Sequence, residues 1–227
     1  MQAAIRRRII QVVVLILLFC LLLFGVGGQW DWAAGWAYVA LYLLGTLINA
    51  YILLRKSPDL IAERGRPGEG VKAWDKALAP LVGFFGPFAQ WLVVGLDHRF
   101  GWSPPLSLPI VVAGFVLVAL GFALTVWAMA ANRFFSGMVR IQAERGHVVV
   151  STGPYRYVRH PGYAGMLLFT VATPFALSAL WGLLPALFTL IGLVIRTQLE
   201  DQALQVELDG YAAYARRVRS RLLPGIW

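Results

Sequence analysis

Of 227 residues, 59% are hydrophobic and only 14% are charged, which excludes a soluble domain because too few charges remain to cover its surface. The formal net charge is +9, yet no basic stripe is interleaved with exposed aromatic residues, and nucleic acid is not expected as a partner. Cys20 is the lone cysteine; it excludes a disulfide framework and a cysteine-based zinc site, reads as a packed thiol, and no metal site is expected.

Apolar blocks cover residues 12–26, 33–54, 77–96, 106–131 and 163–195. Each is about the ~20 residues that cross ~30 Å of hydrocarbon, or somewhat longer, and the last is too long for one crossing. Lipid cannot hydrogen-bond the backbone, so these blocks are expected to be helices. The first runs from about 9 to 27 behind Arg6, Arg7 and Arg8. It reads as a retained helix, because the apolar run is long for a signal peptide and Gly25-Val26-Gly27-Gly28 is a poor cleavage site. Gln29-Trp30-Asp31-Trp32 forms an outer turn whose tryptophans suit the membrane interface.

A second helix reaches Leu54, and a polar loop over 55–75 follows, with turn chemistry at Ser57-Pro58-Asp59 and Gly65-Arg66-Pro67-Gly68. A third helix ends near Leu96, an outer loop carries Pro104-Pro105, and a fourth helix covers 106–131. Residues 132–160 are polar, basic and broken by glycines, and long loops of this kind often carry function. A helical hairpin is expected over 161–177 and 181–198, kinked at Pro174 and Pro185. From Leu199 the tail mixes apolar, acidic and basic residues as an amphipathic interfacial helix does.

The expected fold class is therefore all-α: a polytopic membrane protein of about six transmembrane segments, the last two a hairpin, with a C-terminal amphipathic helix. One membrane domain spans 1–227, with four transmembrane helices in 1–131 and the polar loop, hairpin and interfacial helix in 132–227. With both termini cytoplasmic, all of the 20 basic residues except Arg99 fall on the cytoplasmic side, as the positive-inside rule requires. Those cations are placed to meet anionic lipid headgroups. Arginine outnumbers lysine 17 to 3, which points to a GC-rich bacterial genome and hence a bacterial inner membrane.

Two constellations stand out. In Gly153-Pro154-Tyr155-Arg156-Tyr157-Val158-Arg159-His160-Pro161-Gly162-Tyr163, Gly153-Pro154 breaks a strand-like His147-Val148-Val149-Val150. Pro161 suits the first turn of a helix, whose free N–H groups beside Arg159 and His160 would cradle a carboxylate. An ordinary lipid-anchoring basic loop is the alternative. The second constellation is Arg196 with Glu200 and Asp201; Arg196 and Glu200 are four apart and share a helical face. Charged groups at a membrane boundary are functional candidates, or else a salt bridge that closes the helix.

The ordered set His147-Val-Val-Val, Gly153-Pro154-Tyr155, Arg159-His160-Pro161-Gly162-Tyr163 and Glu200-Asp201-Gln-Ala-Leu204 resembles the isoprenylcysteine carboxyl methyltransferases and related phospholipid methyltransferases. Gly210-Tyr211 through Pro224-Gly225-Ile226-Trp227, and earlier Glu63-Arg64-Gly65 and Trp74-Asp75-Lys76, resemble the bacterial branch. The resemblance implies an enzyme using S-adenosyl-L-methionine on a lipid-like or prenylated acceptor at the cytoplasmic face. It implies that Gln142, His147, Val148, Val149, Val150, Tyr155, His160, Pro161, Gly162, Tyr163 and Glu200 surround the cofactor, and that Arg196 faces the acceptor, with Arg196 and Glu200 as catalytic residues. Asp201 replaces the family's second glutamate. A carboxylate acceptor needs no base and Arg196 could hold it; an amine acceptor would need Glu200 or Asp201 as base. Both acids could instead bind the cofactor's ammonium or ribose. The competing readings are an NADPH-dependent membrane reductase and a non-catalytic lipid-binding scaffold.

Overall fold

The computed structural model describes residues 2–56, 60 and 70–227. Ser57-Pro58-Asp59, Gly65-Arg66-Pro67-Gly68 and Glu63-Arg64-Gly65 lie outside the described residues, as do the side chains of Arg7 and Arg8. Among the described residues the regular structure is all helical.

Helix α1, Gln2–Cys20, continues through a π turn, Leu21–Val26. Helix α2 is Ala33–Lys56. Helix α3, Asp75–Phe100, contains a π turn at Leu81–Phe85 directly after Pro80, whose missing N–H breaks the ladder and lets the helix widen. Helices α4, Leu108–Ala131, and α5, Pro161–Ala176, flank the long polar loop. Helix α6 is Leu183–Glu207 and α7 is Tyr211–Arg217.

Four of these rods are long and apolar enough to cross a membrane: α2, α3, α4 and α6 taken from Leu180. Ile10–Val26 is apolar but shorter, and α5 has 16 residues. Leu44, Leu47, Leu108 and Phe188 are each more than half exposed, a surface that suits lipid and not water. The chain is an integral membrane protein.

Several expectations about the C-terminal part change. Residues 199–207 do not start a separate interfacial helix; they continue α6, because Glu200 and Asp201 find partners in α5, the polar loop and the tail. The following helix has seven residues, and its Tyr211 and Tyr214 are buried against protein. Pro185 falls in the first turn of α6, where the absent N–H interrupts no bond. Residues 147–150 form no strand.

Small residues let α4 and α5 pack antiparallel at close range. Gly114 meets the Ala176 backbone, and a Cβ on Gly121 would lie 2.7 Å from the Gly165 carbonyl oxygen. Several polar groups within the bundle are paired, as hydrocarbon favours. Gln90 Nε2 donates to the Thr170 carbonyl at 2.8 Å, and the Tyr38 and Thr173 hydroxyls pair at 2.7 Å. At one end, buried Asp97 accepts from the Ser103 N–H and hydroxyl and from the Trp181 N–H, joining α3 to the α5–α6 connection. The polar loop gathers at the other end.

Candidate active site

The loop leaving α4 is shaped by its own side chains. Asn132 Oδ1 accepts from the Phe134 N–H at 2.8 Å, and Asn132 Nδ2 donates to the Tyr155 hydroxyl at 3.2 Å. Gln142 is almost fully buried; its Nε2 donates to the Phe134 carbonyl at 2.8 Å and its Oε1 accepts from Arg145 Nη1. The Gln142 N–H donates to His147 Nδ1 at 3.3 Å, so that nitrogen is unprotonated and the imidazole carries its proton on Nε2. Burial first, then the nearby cations Arg145 and Arg140, push the His147 pKa down to about 4. Val148 is exposed, while Val149 and Val150 are half-buried.

Gly153, at φ 58°, turns the chain into a short 3₁₀ turn that buries Tyr155. The Tyr155 carbonyl accepts from the Tyr214 hydroxyl at 2.7 Å, which seats α7 over the loop. Burial raises the phenol pKa of Tyr155, Tyr211 and Tyr214, so all three remain protonated donors at neutral pH.

Pro161 opens α5 as expected, with His160 as the preceding cap residue. The N–H groups of Gly162 and Tyr163 belong to the first turn and have no intrahelical partner, so they are suited to an anion. Arg159 does not join that cradle. Its Nε and Nη2 donate to Asp201 Oδ1 and Oδ2 at 2.7 and 2.8 Å, and Nη1 donates to the Val218 and Arg219 carbonyls. Fully buried Asp201 also accepts from Gln205 Nε2, the Tyr211 hydroxyl and Arg221 Nε, and lies 3.3 Å from His160 Nε2. The role left unassigned to Asp201 is thus that of a hub joining α6, the loop and the tail.

Arg196 and Glu200 share a face of α6 but have separate partners. Glu200 Oε2 accepts from the Tyr163 hydroxyl at 2.6 Å. Arg196, only 5% exposed, donates to both carboxylate oxygens of Asp75 and to the Gly137 carbonyl. Its guanidinium lies 5.2 Å from the Tyr163 ring centroid, within cation–π range.

These elements line an open cavity whose empty space, part of it continuous with solvent, is about 760 Å³. Ten of the eleven residues expected around the cofactor line it: Gln142, His147, Val148, Val149, Val150, Tyr155, His160, Gly162, Tyr163 and Glu200. Pro161 is not among the lining residues; it sets the helix start behind them. Arg196 also lies outside the lining, beside the Tyr163 ring. Sequence reasoning missed Asn132, Phe134, Phe135, Met138, Val139, Leu204, Leu208, Tyr211 and Tyr214. Of these, Tyr211 and Tyr214 carried a signal: two tyrosines three apart on a short helix. Among the described residues no cluster of acidic, histidine and cysteine side chains could hold a metal ion.

The donor set suits a molecule that is part apolar and part zwitterionic. Valines and leucines offer a surface for a heterocycle, Glu200 an anion for a cationic centre, and the start of α5 free N–H groups for a carboxylate.

Residues 112–206 match the family described as isoprenylcysteine carboxyl methyltransferase (ICMT). The chain is 39% identical over 61 residues to a probable protein-S-isoprenylcysteine O-methyltransferase of Oryza sativa subsp. indica, covering 26% of this chain and 32% of that protein. It is 35% identical over 97 residues to protein-S-isoprenylcysteine O-methyltransferase B of Arabidopsis thaliana, covering 43% and 46%. With protein-S-isoprenylcysteine O-methyltransferase of Saccharomyces cerevisiae it shares 38% identity over 63 residues, covering 27% and 26%. The chain thus spans less than half the length of the relatives it matches. The stretch similar to the isoprenylcysteine carboxyl methyltransferase family, residues 112–206, holds α5, nearly all of α6 and the whole loop that forms the cavity.

Proposed function

We propose that the protein is an S-adenosyl-L-methionine-dependent methyltransferase whose acceptor is a lipid-like carboxylate, such as that of an S-prenylated cysteine. The observation that carries this reading is the convergence of ten residues, singled out by family resemblance, on one cavity of fitting chemistry. When bound, the cofactor supplies a sulfonium-activated methyl group, so the protein's task is mainly alignment. Glu200, held by the Tyr163 hydroxyl, stands as the anion facing the sulfonium side. The Gly162 and Tyr163 N–H groups receive the methionyl carboxylate. Arg196 orients the acceptor's carboxylate, which is ionised at neutral pH and needs no general base.

The same reading places six transmembrane segments in the bilayer, counting Ile10–Val26 and α5, with both termini and the cavity on the cytoplasmic side. A bacterial inner membrane is the proposed location, on the arginine-rich composition.

Calorimetric titration of the detergent-purified protein with S-adenosylhomocysteine, with NADPH as control ligand, tests the proposal. Saturable binding of S-adenosylhomocysteine that is lost in His160→Ala is the expected result. Binding of NADPH alone would favour a reductase, and binding of neither a lipid-binding scaffold.

A further inference from the structure

The turn that opens α3 supplies a buried acid that the cavity does not account for. Asp75 is fully buried. Its Oδ1 accepts from Arg196 Nε at 2.7 Å, and its Oδ2 accepts from Arg196 Nη2 at 3.1 Å and from the Val139 N–H at 2.6 Å. Arg196 Nη2 also donates to the Gly137 carbonyl at 2.9 Å. The Lys72 N–H donates to the Val139 carbonyl at 3.0 Å, so residues 72–75 hold Val139 by both of its backbone groups. Met138, Val139 and Tyr163 line the cavity, and Arg196 lies against the Tyr163 ring.

A buried ion pair seldom stabilises a fold more than well-packed apolar residues would. Its value at this position is geometric. One carboxylate fixes both the orientation of Arg196 and the backbone of the cavity wall.

We propose that Asp75 is a positioning residue for methyl transfer, holding Arg196 toward the acceptor and Gly137–Val139 toward the cofactor as one unit. The inference rests on the methyltransferase reading above. Because Asp75 already neutralises Arg196, the arginine presents the acceptor with oriented donors instead of a free buried cation. An acceptor carboxylate shares the guanidinium with Asp75 and, once methylated to an uncharged ester, loses most of that attraction.

The test is Asp75→Asn, which keeps the size and one acceptor oxygen and removes the charge. With S-farnesyl-N-acetylcysteine as acceptor, rates are normalised to sites counted by S-adenosylhomocysteine binding. The KM for this acceptor should fall about threefold as Arg196 regains its full charge, while kcat falls about tenfold or more as the guanidinium loses its anchor. A purely structural role would reduce the number of competent sites and leave KM and kcat per site unchanged, and that result overturns the proposal.

Asp75→Glu keeps the charge and serves if the asparagine variant does not fold; it should retain KM and lower kcat, and an unchanged kcat also overturns the proposal. Amide hydrogen exchange needs no substrate. The Val139 N–H should exchange about tenfold faster in either variant that folds, with α4 unchanged, and equal protection refutes the role of Asp75. Wild-type protein that fails to bind S-adenosylhomocysteine, or binds it without methylating this acceptor, sinks the functional reading alone, and the exchange result then decides on Asp75.

Discussion

Replacing Asp201 by asparagine keeps its shape and removes one charge from the hub beneath α7. The Arg159–Asp201 side chains are 5% and 0% exposed, so the pair is desolvated on both sides. Removing one partner of such a pair costs ~3–5 kcal/mol, because the remaining charge stays buried without compensation. The Tyr211 hydroxyl loses a charged acceptor, a further ~0.5–1.5 kcal/mol. Arg221, at 23% exposure, adds only ~0–1 kcal/mol. The amide oxygen recovers about one neutral hydrogen bond, ~1 kcal/mol, which leaves a net loss of ~2.5–6.5 kcal/mol. Glu207→Gln is the internal control: the Lys72–Glu207 pair is 26% and 39% exposed and should be worth ~0.2–1 kcal/mol. Reversible unfolding in mixed micelles of rising sodium dodecyl sulfate fraction, followed by tryptophan fluorescence, measures both. An Asp201→Asn loss no larger than that of Glu207→Gln would refute the reasoning, because it would mean that Arg159 keeps its hydration or finds another anion.

His147 predicts a pH dependence. Its folded pKa of about 4 lies below the ~6.5 of an unfolded histidine, so the unfolded chain takes up the proton first as pH falls. The stabilisation it gives is therefore complete above pH ~6.5 and is lost progressively toward pH ~4, and His147→Asn should flatten stability over that window. An imidazole resonance of His147 titrating near its ordinary value would contradict this. Gly121→Ala should cost ~1–3 kcal/mol in the same unfolding assay, because its Cβ meets the Gly165 and Phe169 backbone, whereas Gly83→Ala, with open space around it, should be neutral or better. A neutral Gly121→Ala would mean that α4 and α5 can move apart. Tyr214→Phe leaves the Tyr155 carbonyl without its donor, so ~1–3 kcal/mol of local stability and about tenfold in S-adenosylhomocysteine affinity should be lost; unchanged affinity would remove α7 from the binding site.

The spanning helices were legible because length and unbroken apolarity are properties of a contiguous stretch, and α4 runs almost as expected, Leu108–Ala131. Ten residues of the cavity lining were legible through ordered motifs whose members mostly lie close together in the chain. Other contacts depend on distant partners. The i,i+4 spacing of Arg196 and Glu200 suggested a local salt bridge, but Arg196 pairs with Asp75, 121 residues away. No periodicity encodes that contact, although Trp74-Asp75-Lys76 is one of the motifs that resemble the bacterial branch. Glu200 and Asp201 looked alike as adjacent acids. Adjacent helical positions point about 100° apart, however, so one meets Tyr163 in the cavity while the other meets Arg159 and the tail. The tail misled because alternating apolar and charged residues describe a helix on lipid and a helix on protein equally well.

In the proposed reaction the end of α6 is where a water-borne cofactor and a lipid-borne acceptor meet. Arg196 and Asp201 are ~7.5 Å apart along the helix axis, and between them the partners change in order. Arg196 is matched by an acid of α3 and a loop carbonyl, Glu200 by a hydroxyl of α5, and Asp201 by cations of the loop and tail. Each charge is matched locally, which is the condition under which ionised residues are tolerated this close to hydrocarbon. Tyr163 is common to the first two layers: its hydroxyl holds Glu200 on the cavity side and its ring lies against Arg196. In the reaction proposed above, the methyl group passes from cofactor to acceptor between groups held by these two side chains. In the proposed reaction the alignment that catalysis requires is therefore set by one aromatic ring and the two α6 charges it separates, and Asp75 and Asp201 keep those charges from shifting toward each other or toward water.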